Sequence, residues 1–339
     1  MFKVCVRCFT FNQSQFIEDA LNGFVMQQTD FPFVAAVVDD ASTDGEPLVL
    51  RDYYYKYCDC DNTAIAYQEE TEYGTLLFAQ HKENKNCFFA ILLLKENHYS
   101  QKKSKLPYLT RWTDKAKYIA LCEGDDYWTD PLKLQKQVGF LDAHKNYILC
   151  CHRYKVYYQN EDKWEADYVK DLFESNPDGF SFTNADNLRT WITKTVTVMY
   201  RRECLQDAVL SKYKYRCDEH RNYHLLKSGP GYCFPFVGAV YRRCDTGVFS
   251  TITKEQRERR YCLIRSELLN SNLYDVDLRD TLWGKVRQQL YSRFYHRSIV
   301  RSAIVCIRSF YLTDGFWRAV REVTKGLGSF IKGFSFFYS

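Results

Sequence analysis

Two short apolar runs in this chain end abruptly in carboxylates, and that pattern restricts the fold more than any other feature. Phe33–Val38 stops at Asp39-Asp40, and Tyr118–Cys122 stops at Glu123-Gly124-Asp125-Asp126. Runs of five or six apolar residues match buried strands in length, not amphipathic helices. A third run, Lys3–Phe9, ends in Thr10-Phe11-Asn12, and a fourth, Cys87–Leu94, leads into the polar segment Lys95–Lys105.

Helical patterns lie between these runs. Ser14 is placed as an N-cap before Ile17, Leu21, Phe24 and Val25, which recur at helical spacing. Pro47–Tyr57 reads as a second helix and Leu109–Ala116 as a third. Asp130-Pro131 starts another, with Leu134, Val138 and Leu141 on one face. Cys58–Asn86 is polar and irregular and yields no clear element. Beyond residue 150, Trp191–Tyr200 and Cys233–Tyr241 are expected as strands. Asp218–Leu226, Arg257–Leu269 and the tail are expected as helices.

Strand alternating with helix predicts an α/β fold with a mostly parallel sheet. In such sheets ligands bind beyond the carboxyl ends of the strands. Thr10, Asp39, Asp40, Asn97, Asp125 and Asp126 all fall at such ends. Three carboxylates in four residues repel one another, and a divalent cation relieves that repulsion. Oxygen ligands suit Mg2+ or Mn2+, which commonly bridge a carboxylate and substrate phosphates. The competing reading of residues 123–126 is a solvated acidic turn capping the next helix.

Taken in order, these segments resemble glycosyltransferase family 2. The resemblance rests on Thr10-Phe11-Asn12, Val37-Val38-Asp39-Asp40-Ala41-Ser42-Thr43-Asp44-Gly45, and Tyr118 to Trp128 with its Glu123-Gly124-Asp125-Asp126 core. Asp130-Pro131 and Leu134-Gln135-Lys136-Gln137 follow. It spans roughly residues 1–250 and implies a GT-A type, Rossmann-like catalytic domain, with residues 251–339 as a basic, aromatic helical extension. It also implies inverting transfer from a nucleoside diphosphate sugar, usually a UDP-sugar, to a glycan or lipid-linked acceptor. By position, Thr10 and Asp40 would lie near the base, Asp125 near the ribose, and Asp126 on the metal, with Asn12 among the donor-binding residues. Asn97 to Lys103 resembles the loop that closes over the donor. Asp218 matches the late acidic position expected to act as base, with Glu219 as fallback. Trp191 and Thr195 resemble the acceptor side. The chain departs from the family at Cys244, where His is frequent, and at Thr246-Gly247, where a glycine pair is frequent. A thiol is a poor ligand for a hard cation, so metal strength or rate is in question there.

Other classes fit less well. A glycoside hydrolase also needs two carboxylates but has no use for the pair at Asp39-Asp40. A non-catalytic sugar-nucleotide binder is the alternative that Cys244 suggests. No G-x-G-x-x-G follows the first strand, which disfavours a dinucleotide dehydrogenase. The histidines at 81, 98, 144, 152 and 224 have no ligand spacing. The 14 cysteines include one C-x-x-C, Cys5 and Cys8, whose side chains would point to opposite faces of a strand. They read as reduced, mostly buried thiols of a cytosolic protein.

Charge is uneven along the chain. From Arg279 to Ser339 there are 11 basic and 3 acidic side chains, a net of +8, while the remainder nets −3. Phe316, Val320, Val323, Leu327, Phe330 and Phe334 repeat at helical spacing, with Arg318, Arg321, Lys325 and Lys332 on other faces. Upstream, Arg293, Arg297, Arg301 and Arg308 alternate with Phe294, Ile299, Ile304 and Phe310. A basic, aromatic, amphipathic segment suits a lipid interface. The expected location is therefore cytoplasmic and peripheral on the inner face of the cell membrane. No nucleic-acid motif accompanies the basic residues, and nucleic acid is not an expected partner.

Overall fold

The computed structural model describes residues 2–244, 252–290 and 297–335, without the side chains of Asp207 and residues 330–335. Thr246-Gly247, Arg293 and Phe294, and the side chains of Phe330, Lys332 and Phe334, lie outside what is described. The chain forms two compact units.

The first unit holds residues 1–183, 191–207 and 224–244. Strand β1 (Val4–Thr10) pairs in parallel with β2 (Phe33–Asp39), so that Thr10 stands level with Asp39. Between them runs helix α1 (Ile17–Val25), and after β2 comes α2 (Glu46–Tyr57). The expected cap at Ser14 is not used. The helix begins three residues later, because the Ser14 amide donates to Asp44 Oδ2 and holds the loop instead. Residues 58–86, which the sequence left unorganised, contain β3 (Tyr67–Glu70) and β4 (Gly74–Gln80). These pair antiparallel with each other, and β4 pairs antiparallel with β5 (Cys87–Leu94).

The expected helix near residue 110 shrinks to one turn, α3 (Thr110–Thr113). Next come β6 (Tyr118–Leu121), the two-residue β7 (Tyr127–Trp128) and α4 (Lys133–Ala143). Asp130 stands before α4, with its Oδ1 accepting the Leu132 amide at 2.8 Å. Strands β8 (Leu149–Tyr158), β9 (Lys163–Ala166) and β10 (Phe180–Phe182) follow. After the short helix α5 (Asn184–Arg189), the strand expected over Trp191–Tyr200 is confined to β11 (Met199–Arg201). The preceding residues bend through a tight turn at Thr195–Thr197. Helices α6 (Asp207–Ser211) and α7 (Asp218–Leu226) lead to β12 (Gly231–Arg243).

The sheet is mixed. Its parallel centre is β6–β1–β2–β5 within the order β10-β12-β8-β11-β6-β1-β2-β5-β4-β3; β4 and β11 pair antiparallel with the two sides of that centre, while β8 and β12 pair in parallel with each other. The ladder of β12 against β8 slips around Phe234–Val237, where Pro235 has no amide hydrogen to donate. Alternate residues of β1, β2 and β5 pack against Ile17, Leu21 and Phe24 of α1, Leu50 and Tyr54 of α2, and Leu134, Val138 and Leu141 of α4. All 14 cysteines are free, and none is exposed.

The second unit holds residues 184–190, 208–223 and 245–339. Its main helices are α8 (Lys254–Ser271), α9 (Val276–Leu290), α10 (Arg297–Asp314) and α11 (Phe316–Ser335). Thr253 and Gln256 form a reciprocal capping box at the start of α8. Leu268, Leu282, Trp283, Val286, Ile299, Cys306 and Phe310 make the core. The glycines of α11 do not break it. A Cβ on Gly326 would come within 3.3 Å of Trp283, so this glycine lets α11 approach α9 closely. Among the described residues no helix is long and apolar enough to cross a membrane.

Glu219 and Arg265 form a buried ion pair at 2.6 Å that ties α7 to α8. Arg265→Met is expected to cost about 3 kcal/mol or more in urea unfolding, because it strands a buried carboxylate. Adding Glu219→Gln should recover most of that loss. A single-variant cost below about 1 kcal/mol would contradict the pairing.

Candidate functional site

The site forms where β1, β2 and β6 end together. Because β6 stops opposite Arg7, the chain after it continues alongside the end of β1: the Cys122 amide donates to the Arg7 carbonyl and the Gly124 amide to the Phe9 carbonyl. Gly124 lies so close to β1 that a Cβ there would sit 2.3 Å from Thr10 Oγ1 and 2.6 Å from Thr10 Cβ. The glycine of Glu123-Gly124-Asp125-Asp126 is therefore a steric requirement of the fold.

The flanking carboxylates converge. One oxygen from each of Glu123, Asp125 and Asp126 lies within 4.8 Å of the others. Glu123 is exposed, Asp125 half-buried and Asp126 buried. Burial raises the Asp126 carboxyl well above its usual range, and the charges of Asp125 and Glu123 raise it further. The Lys194 ammonium and the Arg242 amide offset part of this. Asp125 is also raised, chiefly by burial. Oxygens around a small octahedral cation stand roughly 3–4 Å apart, so small side-chain adjustments would bring this group to the spacing that a divalent cation needs.

Arg242 fixes the acidic loop. Its amide donates to Asp126 Oδ1 at 2.9 Å and its Nε to the Asp125 carbonyl at 3.0 Å. The guanidinium also pairs with Asp19 and Gln159 and lies 4.6 Å from the Phe16 ring centroid. Pairing of Val240 with Tyr127 delivers Arg242 to this point. Beneath the loop, Trp128 is buried, donates through Nε1 to the Val196 carbonyl and has the Lys133 ammonium 4.0 Å from its ring centroid. Burial brings the Lys133 ammonium down to about 7.

The expected donor residues form the neighbouring loops. Thr10 is buried, with its hydroxyl bonded to Glu46 and Gln13. Glu46 is buried and also accepts from the Gln13 amide and the Ser42 hydroxyl. Asn12 has φ 53°, and its side chain accepts the Thr43 amide at 2.8 Å. Asp40 is fully buried. It accepts the amides of His98 at 2.7 Å and Tyr99 at 3.0 Å, and it pairs with Lys105 Nζ at 2.7 Å. Asn97 donates to the Asp40 carbonyl, while Lys103 is exposed 3.6 Å from Glu96. The lysine that reaches Asp40 is thus Lys105, which the sequence gave no means of separating from its neighbours. Asp39 is buried with Oδ1 unpartnered, and burial raises its carboxyl.

Trp191 and Thr195 are half-buried beside Lys194, whose ammonium stands 3.2 Å from the Tyr241 ring centroid. Cys244 is buried directly after β12. Asp218 and Glu219 belong to the second unit. Asp218 is half-buried and accepts the Glu219 amide at 3.0 Å, whereas Glu219 is occupied by Arg265. Sequence reasoning missed Glu46, Lys105, Lys194 and Arg242.

No family model matches the chain. It is 28% identical over 257 residues to the uncharacterized proteins Rv1520 of Mycobacterium tuberculosis and Mb1547 of Mycobacterium bovis, covering 74% of this chain and 61% of each relative. The chain thus spans about three fifths of the length of the curated relatives it matches. Among solved structures it resembles S. aureus TarS 1–349 in complex with UDP-GlcNAc, with a TM-score of 0.58 and 15% identity over 97% of this chain and 89% of that one. It also resembles the mannosyltransferase PcManGT of Pyrobaculum calidifontis in complex with GDP-Man and Mn2+, with a TM-score of 0.50 and 13% identity over 96% and 87%. The fold is accordingly GT-A-like, a mixed α/β sheet flanked by helices.

Gly124→Ala should lower unfolding stability by about 1–3 kcal/mol through the clash with Thr10, and an unchanged urea midpoint would contradict it. Asp126→Asn keeps the acceptor for the Arg242 amide and removes one charge from the triad. A raised carboxyl supports the fold while protonated and loses that support as pH rises through its folded value. In chelator, Asp126→Asn should therefore melt higher than the parent chain, by a margin that widens from about pH 4 towards neutrality. A margin constant with pH would argue against an ionised, repelling triad.

Proposed function

We propose that this protein is an inverting glycosyltransferase of family 2. It moves a sugar, in our reading a hexose, from a nucleoside diphosphate donor, UDP-linked by preference, to a hydroxyl of a glycan or lipid-linked glycan in cell-surface polysaccharide synthesis. The observation that carries the reading is the convergence of Glu123, Asp125 and Asp126 at the carboxyl ends of parallel strands. Such a position suits a phosphate-bearing ligand and its cation.

In this reading Asp126 holds Mg2+ or Mn2+ with help from Glu123, and Asp125 faces the donor ribose. The cation supplies Lewis-acid neutralisation of the departing diphosphate. Thr10, Asn12 and Asp40 shape the base-binding wall through the loops they tie down, and Asn97 anchors the segment that carries Lys103 to the phosphates. Trp191 and Thr195 face the acceptor. Asp218 takes the proton from the acceptor hydroxyl as that oxygen bonds to the anomeric carbon and the bond to the diphosphate breaks. Glu219 is the weaker candidate, because Arg265 already occupies it. We place the enzyme at the cytoplasmic face of the membrane, consistent with its basic tail. The buried thiol of Cys244 leaves the ion to the carboxylates alone.

A donor screen tests this. Nucleotide release should require Mn2+ or Mg2+ and an acceptor, and should favour one of UDP, GDP or dTDP sugars. Asp126→Ala should reduce turnover at least 1,000-fold, on the order expected when a main electrostatic group is lost, with the circular dichroism spectrum retained. Asp218→Asn should keep donor affinity and lose transfer. Full activity in Asp126→Ala, or hydrolysis of glycans without a nucleotide sugar, would overturn the reading.

A further inference from the structure

Helices α10 and α11 carry a surface that the proposed chemistry does not use. On α10, Arg297, Arg301 and Arg308 lie on one exposed stripe. Val300, Ile304 and Tyr311 lie on an adjoining stripe with the same spacing and are 38%, 62% and 55% exposed. On α11, Val323 and Leu327 are exposed, while Arg318, Arg321 and Lys325 flank them. Phe316 and Trp317 stand at the turn between the helices, and Trp317 is 80% exposed. An apolar trough of about 800 Å³ runs between α10 and α11, lined by Val300, Ile304, Ile307, Phe316, Val323 and Leu327 among others, with Arg308 at its edge.

The acidic groups of these helices are turned to internal partners. Glu322 is buried, accepts the Trp283 indole N–H and pairs with Lys325 and Arg318. Asp314 pairs with Arg279. The described outer surface of α10 and α11 is therefore apolar side chains framed by cations. Such a surface has two complementary needs: burial of the apolar stripe and a dense source of negative charge. An anionic lipid leaflet meets both, with aromatic rings at headgroup depth and arginines reaching phosphates.

We propose that the α10–α11 surface docks flat on an anionic phospholipid leaflet, with Ile304, Phe316, Trp317 and Leu327 entering the headgroup boundary and Arg301, Arg308 and Arg321 contacting lipid phosphates. This deepens the peripheral-membrane part of the proposed function by naming the surface and the lipid class, and it is tested without reference to transfer.

The test is sedimentation of the full chain with vesicles of neutral phosphatidylcholine and with vesicles containing 30 mol% phosphatidylglycerol, roughly the regime where surface potential is strong. Binding to the anionic vesicles should be at least tenfold tighter and should weaken with added salt. The triple variant Arg301→Gln, Arg308→Gln, Arg321→Gln should lose about tenfold or more, and Ile304→Ser with Leu327→Ser a comparable factor. Both should retain the parent circular dichroism spectrum, because the altered side chains are exposed. Indole emission should shift to the blue on anionic vesicles, and Trp317→Phe should remove most of that shift. Equal affinity for both vesicle types, no effect of the triple variant, or a lipid-independent dimer broken by Ile304→Ser with Leu327→Ser would overturn the proposal. Vesicle binding without nucleotide release from any donor would support this surface while sinking the transfer reading; release to a soluble acceptor without vesicle binding would do the reverse.

Discussion

The arrangement depends on holding three mutually repelling carboxylates at the end of a buried strand. Left alone, that cluster favours opening of the loop, since a charge removed from water without a partner is costly. Arg242 opposes this from the neighbouring strand, with its amide on Asp126, its Nε on the Asp125 carbonyl and its guanidinium packed on Phe16. One residue thus joins β12 to the end of β6. The clamp restrains the loop without neutralising it, because the guanidinium is shared with Asp19 and Gln159. The negative charge left over is what the proposed cation would neutralise.

The adjoining loops use the same device with the opposite sign. Buried Glu46 gathers donors from Thr10, Gln13 and Ser42, and buried Asp40 gathers the His98 and Tyr99 amides and Lys105. Carboxylates that accept several hydrogen bonds act as internal ties. The loops beyond β1, β2 and β5 are therefore shaped by buried acids, whereas Asp126, which accepts the Arg242 amide, is not consumed in the same way and is left for the proposed ion. This division explains why Asp40 and Asp126, equivalent in appearance along the sequence, have different surroundings.

Much of this was legible in the sequence. The parallel centre followed from apolar runs that stop at carboxylates, and the acidic loop was located to the residue. The β3–β4 hairpin was hidden because polar flanks obscure Gly74–Gln80, which is stabilised by pairing with β5 and not by its own periodicity. The strand expected over Trp191–Tyr200 shortened because its apolar residues fill the core from a turn. Tertiary ties such as Thr10 to Glu46 or Arg242 to Asp19 join residues 36 and 223 positions apart. No local pattern encodes them, so the sequence marked which strand ends matter but not which side chains are consumed in building them.

The central claim is that the loop after β6 is a cation and nucleotide site. It is tested most directly by a crystal structure of the protein grown with Mn2+ and UDP, using anomalous scattering to locate the metal. The account predicts a manganese peak at coordination distance from the Asp126 carboxylate and beside the diphosphate, with the uracil base against the loops of Thr10 and Asp40. A nucleotide bound elsewhere, or an anomalous map empty around Glu123, Asp125 and Asp126, would contradict it.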